Sequence, residues 1–189
     1  MATQCELLPL DDSIYCGPGG IAQLAMAKYD DIDWAAMVDD PTKFDKATER
    51  ILGYTMKTGK TFLNYPLADR EAARYENAFD ANDLNTVSVF LNTKGKSAAN
   101  RLAIKNLTNC CNVVKHVWGN DGTQRVIGVE YNSDLEKFIR PLRESAVTGT
   151  DGSGQVGTDT RPGDQLTLVD VQLSSPLFAE IDSEDFPFS

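Results

Sequence analysis

The sequence predicts a mainly β protein, an antiparallel β-sandwich or small barrel with one flanking helix. Three observations lead there. Short segments rich in β-branched and aromatic residues alternate with turn residues from Arg50 onward. One of them, Thr86 to Leu91, has the period of two that a half-buried antiparallel strand requires, with Val87, Val89 and Leu91 on one face and Thr86 and Ser88 on the other. A single segment, Ala98 to Leu107, carries a helical apolar stripe of Ala99, Leu102, Ala103 and Leu107 behind Ser97 as N-cap.

The elements follow in order. Residues 1–49 form an irregular, acidic N-terminal region of a single β-rich domain spanning 1–175. In it Cys16-Gly-Pro-Gly-Gly is a backbone device, because glycines permit positive φ and Pro18 fixes its own. Ile21 to Lys28 fits either a short helix or a strand, and its alanines and glutamine tilt it toward helix. Asp30, Asp31, Asp33, Asp39, Asp40 and Asp45 then read as a solvated acidic surface, for the D-x-D-x-D-G spacing of a calcium loop is absent. Ile51 to Lys57 and Thr61 to Leu67 flank Thr58-Gly59-Lys60, which reads as a hairpin turn. Ala72 to Asp80 and Thr86 to Leu91 flank a polar stretch holding Asn82, Asp83 and Asn85.

The clearest hairpin is Val113 to Trp118 with Arg125 to Tyr131, joined through Asn120-Asp121-Gly122, where glycine takes the positive φ at no steric cost. Thr148 to Asp164, rich in Gly, Ser and Thr, reads as a flexible loop. Gln165 to Leu173 is the last strand. Its apolar residues shift phase, from Leu166 and Leu168 to Val169, Val171 and Leu173, which predicts a β-bulge near Leu168. Residues 176–189 read as an acidic aromatic C-terminal tail that docks onto something, a neighbouring subunit for instance.

Composition narrows the function classes. Of 189 residues, 28 are acidic and 18 basic, a net charge of -10, which argues against tight nucleic-acid binding because that needs clustered Lys and Arg. No apolar run is long enough for a transmembrane helix, and Met1 to Leu10 lacks the basic start of a signal peptide. Four cysteines without a C-x-x-C, with one histidine, make a structural zinc site improbable, and the thiols are expected to be reduced. No phosphate-binding loop or dinucleotide fingerprint is present.

One enzyme pattern stands out. Asp12 to Gly20, with Cys16 ahead of Gly-Pro, resembles the nucleophile segment of papain-like, double-glycine-leader peptidases, in which a helix N-terminus stabilises the thiolate. His116 would be the base and Asn132 its orienting partner. The oxyanion glutamine that the class places about six residues before the cysteine is here Leu10. A lone histidine in a β-hairpin is more often a sheet residue than a base.

A second resemblance spans about two thirds of the chain. The order of elements resembles bacteriophage tail tube proteins of the kind found in phages of Bacteroidota. It covers Cys5, the Cys16 to Ile21 glycine turn, the aromatic strand pairs from Arg50 to Leu91 and the helix Ser97 to Leu107. It continues through the hairpin Val113 to Tyr131 and the glycine-rich Ala146 to Asp164 followed by Gln165-Leu-Thr-Leu. The departures are the acidic insert Asp30 to Thr48 and the aromatic residues after Pro176.

That resemblance implies a structural virion protein of the phage tail, assembled in the host cytoplasm, without catalytic residues, cofactor, metal or membrane. Its partners would be itself, in hexameric rings stacked on one another, and other tail proteins. Double-stranded DNA would pass through transiently and without sequence preference. Thr58, Gly59 and Lys60, or the link with Asn82 and Asp83, would reach the adjacent ring. Six copies at -10 each give about -60 formal charges per ring, and a negative wall repels phosphate and lets DNA pass. The alternative function is the cysteine peptidase using Cys16 and His116; a weaker third is a decoration or carbohydrate-binding sandwich.

Overall fold

The structure is a computed structural model, and it describes residues 20–65, 73–79, 84–92, 112–152 and 163–188. In chain order the strands are β1 (Ile21–Lys28), β2 (Phe44–Asp45), β3 (Arg50–Ile51), β4 (Leu63–Tyr65), β5 (Ala73–Phe79) and β6 (Asn85–Asn92), with helix α1 (Trp34–Asp39) between β1 and β2. Then come β7 (Val113–Gly119), β8 (Gln124–Ile127), β9 (Glu130–Asn132), β10 (Lys137–Ile139), β11 (Arg143–Gly152), β12 (Gly163–Gln172) and β13 (Leu177–Ala179). The mainly β fold and its antiparallel sandwich are as the sequence predicts.

Two sheets carry the architecture. A seven-stranded sheet has the order β2-β3-β13-β8-β7-β1-β4, antiparallel throughout except for the parallel pair β13–β3. A four-stranded antiparallel sheet has the order β11-β12-β6-β5. Leu24, Met26, Val117 and Ile127 of the first meet Val87, Val89, Leu166 and Leu168 of the second and form one core. On its other face the seven-stranded sheet packs Ala25, Ala27, Val114 and Val126 against Trp34 and Met37 of α1, Phe44, Tyr54, Phe62, Phe138 and Phe186. The centre of the seven-stranded sheet, β1 and β7, is therefore buried on both sides. Val113 to Val117 are all buried, so β7 shows no alternation between core and solvent.

That sandwiching decides between the two readings of Ile21 to Lys28 in favour of strand, against the tilt of its composition toward helix. The segment is the interior strand β1, paired with β7 and β4. Small Ala25 and Ala27 face one core while Leu24 and Met26 face the other, and burial between two strands overrides intrinsic propensity. The helix expected at Ala98 to Leu107 lies outside the described residues. The helix that is present, α1, falls inside the acidic stretch; Asp33 caps it, its Oδ1 accepting from the Ala36 N–H at 3.2 Å. Six residues are too few to show a helical period in sequence.

Other expectations are corrected. Thr58-Gly59-Lys60 is a turn, with Gly59 at φ 73°, but it joins no hairpin: β3 pairs with β2 and β13, whereas β4 pairs with β1. The predicted bulge near Leu168 is absent, and β12 pairs with β6 in unbroken register from Gln165 to Gln172. Leu166, Leu168, Asp170 and Gln172 all face inward. The apparent change of phase arises because two polar residues occupy core positions. The register shift lies instead in β11, between Arg143 and Ala146. The strand β11 also runs through Thr148 to Gly152, so the expected glycine loop is in part a strand, paired with β12; residues 153–162 lie outside the described set.

The C-terminal residues dock onto their own domain. β13 is inserted between β3 and β8, and Phe186 is buried. The hairpin β7–β8 matches the sequence expectation, with Lys115 opposite Ile127 and Trp118 opposite Gln124. Its second strand stops early, because Gly128 at φ 89° turns the chain and Tyr131 belongs to the separate pair β9–β10.

Candidate functional site

Three regions bear on function: the edges and outer face of the four-stranded sheet, the loops expected to contact a neighbouring ring, and the surroundings of His116.

Among the described residues the outer strands β5 and β11 each have one partner, β6 and β12 respectively. The strands are long, seven residues in β5 and ten in β11. Four antiparallel strands alternate in direction, so the two edges run opposite ways. The face turned from the core carries Thr86, Ser88, Phe90, Thr167, Val169 and Val171, with Arg74 and Glu76 on β5. Arg74 Nε lies 2.9 Å from Glu76 Oε1, and its guanidinium stacks 4.3 Å over the Phe90 ring. The described part of this face thus mixes threonines and a serine with Val169, Val171 and half-buried Phe90, and Arg143 of β11, exposed and in register with Val171, adds one positive charge. At the end of β5, on the side that alternation shares with buried Ala73 and opposite Asn85, Phe79 is 78% exposed, the most exposed large apolar side chain among the described residues.

Of the expected ring-contact residues, Thr58, Gly59 and Lys60 sit on an exposed turn closed by the Lys60 N–H to the Lys57 carbonyl at 2.9 Å. Lys60 Nζ lies 3.5 Å from Asp31 Oδ1, and the Lys57 N–H donates to the Asp31 carbonyl at 2.9 Å, so the turn is tied back to the start of α1. Asn82 and Asp83 lie outside the described residues.

The acidic cluster has local work. Asp40 accepts from the Thr42 N–H and hydroxyl at 2.9 and 2.7 Å, and Asp45 from the Ala47 N–H and Thr48 hydroxyl at 3.0 and 2.5 Å. Those hydroxyl and amide donors hold both carboxyls below the usual carboxylate range. Asp30 pairs with Arg140 at 2.7 Å. These are side-chain turns and caps that close the irregular chain around α1. Among the described residues no group of three His, Cys, Asp or Glu is placed to hold a metal ion, and no helix is long and apolar enough to cross a membrane.

His116 lies on β7 and is fully buried. Its Nδ1 is 2.9 Å from the Tyr54 hydroxyl and its Nε2 is 3.1 Å from Gln124 Oε1. Gln124 Oε1 also accepts from the Ile181 N–H at 3.1 Å, while its Nε2 donates to the Ile181 carbonyl at 3.0 Å. The amide is thereby oriented, so His116 Nε2 carries the proton and Nδ1 accepts from Tyr54. Burial pushes the imidazole down to about 3, and the bond to Gln124 opposes this only in part. Trp118 and Phe186 pack around the ring at centroid separations of 4.2 and 4.9 Å. The ring is a structural pivot joining β7, Tyr54 and the C-terminal segment. Asn132 is engaged elsewhere, its Oδ1 accepting from the Leu135 N–H at 2.9 Å. Cys16 lies outside the described residues.

Sequence reasoning missed the polar groups between the sheets. Lys115 Nζ is 2.5 Å from Asp170 Oδ2, with side chains 0% and 1% exposed. Gln172 Oε1 accepts from the Gly128 N–H at 3.2 Å. Glu130 Oε2 accepts from the Leu173 and Ser174 N–H groups at 2.7 and 2.9 Å. The available signal was the break in alternation at Asp170 and Gln172.

Comparison with protein-family models, curated proteins and solved structures finds no match for this chain.

Proposed function

We propose that this protein is a structural subunit that joins copies of itself edge to edge into a ring, and that the rings stack as a tail tube through which DNA passes. The observation that carries this reading is the four-stranded sheet whose two long outer strands, running in opposite directions, have no second strand partner among the described residues. In a head-to-tail ring, β5 of one copy meets β11 of the next in antiparallel register, and closure leaves the four-stranded sheet no unpaired edge. Six copies of four strands make 24. At a spacing of about 4.8 Å and a tilt of about 40°, such a barrel closes at a backbone radius of roughly 24 Å, which admits a DNA duplex. The face away from the core would then line the channel. Among its described residues, the threonines, serine, valines and Phe90, with Arg74 paired to Glu76 and Arg143 at the far strand, offer phosphate no cluster of cations to bind. In this arrangement low cation density, more than a strongly negative wall, lets DNA slide. The exposed Thr58–Lys60 turn would face a stacked ring.

The reading of Cys16 and His116 as a peptidase pair has less support, since both ring nitrogens of His116 are engaged by buried neighbours.

Light scattering over a range of concentrations, with negative-stain microscopy, tests the proposal. Rings or tubes are expected. Lysines replacing Glu76 and Ala78, both exposed on β5, should leave the monomer folded and stop ring formation by placing like charges along one edge. Wild-type protein that stays monomeric at every concentration, with or without other virion proteins, refutes it.

A further inference from the structure

Lys115 and Asp170 face each other across the gap between the two sheets, Lys115 on β7 and Asp170 on β12. Neither side chain reaches solvent. Met26 and Ile127 flank Lys115 in register on its own sheet, and Val87 lies opposite Asp170 on the other. The amine is fixed from several sides. Nζ donates to the Val113 carbonyl at 3.0 Å as well as to Asp170, and Gly128 leaves room for it: a Cβ at that position would come within 3.4 Å of Nζ.

We infer that Lys115 and Asp170 are the reactive pair of an intramolecular isopeptide bond that welds the two sheets together. The chemistry needs no outside reagent. Transfer of one proton across the existing hydrogen bond turns ammonium and carboxylate into amine and carboxylic acid. The Nζ lone pair attacks Cγ of Asp170, a C–N bond forms, and the C–O bond to the hydroxyl breaks. The hydroxyl leaves with the proton lost by nitrogen, as one water. Nothing is oxidised or reduced.

Two physical effects drive the step. The strands hold nucleophile and electrophile in contact, which replaces a bimolecular encounter by an effective concentration that can reach about 10⁵ M or more. A buried ion pair also carries a desolvation penalty of several kcal/mol per ion, which the neutral amide removes. Burial moves the Lys115 ammonium below its usual range, toward the nucleophilic amine, against the opposing pull of Asp170. A surface lysine–aspartate pair has neither advantage, since water solvates both charges.

Intact-mass spectrometry of the purified wild-type chain, followed until the mass no longer changes, decides the matter. The expected mass is the sequence mass less one water, and trypsin should leave uncut the bond after Lys115 and yield a branched peptide containing both residues. Lys115→Arg and Asp170→Ala should each restore the full mass for their sequence. A wild-type chain at its full sequence mass, with a linear Lys115 peptide, overturns the inference. Because the decisive measurement is on the wild type, poor folding of either variant leaves the test intact.

Discussion

Replacing Phe186 with alanine tests whether the C-terminal segment is an integral part of the core. Phe186 is 5% exposed and sits at the centre of an aromatic cluster. Its ring lies 4.7 Å from Trp118, 4.9 Å from His116, 5.0 Å from Phe62, 5.6 Å from Tyr54 and 4.5 Å from Phe188. Removing a buried phenylalanine side chain costs about 3–5 kcal/mol, and five ring neighbours drawn from separate segments leave little scope for collapse into the cavity. For a chain of this length each kcal/mol lowers Tm by roughly 2–4 °C, so a fall of about 10 °C is expected. Urea unfolding of Phe186→Ala should show a lower midpoint at an unchanged slope. Deleting residues 176–189 should go further. It removes β13 from between β3 and β8 together with buried Leu177 and Ile181, losses comparable to an entire stability of about 5–15 kcal/mol. A cost below about 1 kcal/mol for Phe186→Ala, or a truncated chain that still unfolds cooperatively, would show that the segment is an accessory tail and that the cluster is misplaced.

Further predictions concern the buried polar groups and two glycines. His116, the one histidine of the chain, should show no imidazole titration between pH 7 and 5 by NMR, and a midpoint near 6.5 would contradict its burial. Because its folded pKa lies below the unfolded one, the unfolded chain binds the extra proton. Its contribution is complete above about pH 6.5 and is lost as pH falls toward 3, at up to about 1.4 kcal/mol per pH unit in urea unfolding. Glu130→Ala leaves the Leu173 and Ser174 amides without their acceptor and should cost about 1–3 kcal/mol, whereas Glu130→Gln keeps an acceptor and should cost less, both read from urea midpoints. Gly128→Ala should destabilise far more than Gly59→Ala. Both glycines have positive φ, worth about 1–2 kcal/mol to an L-residue, but a Cβ at Gly128 would come 2.6 Å from the Val113 carbonyl oxygen and at Gly59 would meet nothing within 4 Å. Equal thermal shifts for the two variants would count against the packing of the β8–β9 corner on β7.

The features legible in the sequence were those set by neighbours along the chain. The Asp121-Gly122 turn fixes the β7–β8 hairpin, because few conformations close so short a link between two β-rich runs. The alternation of Val87 and Val89 fixes β6, because one face of that strand is buried and the other is not. Gly59 marks a turn through its positive φ. For the candidate assembly surface the sequence offered the strands that became β5 and β6, the exposed Thr58–Lys60 turn and the link with Asn82 and Asp83, which lies outside the described residues. That β11 forms the opposite edge depends on register across the sheet.

Tertiary structure decided the rest, because each remaining feature depends on what lies on the second face of an element. β1 is a strand because both its faces are covered, a circumstance that alanines at 25 and 27 permit but do not announce. Asp170 and Gln172 disguise the phase of β12 because partners at positions 115 and 128 allow polar groups to stand where leucines would otherwise be. Phe186 and Ile181 belong to the core because β13 inserts between strands distant in sequence, and residues 130 places apart meet at Arg50 and Glu180. Local pattern records the conformations a segment prefers. The long-range contacts that bury both faces of the central sheet select among them.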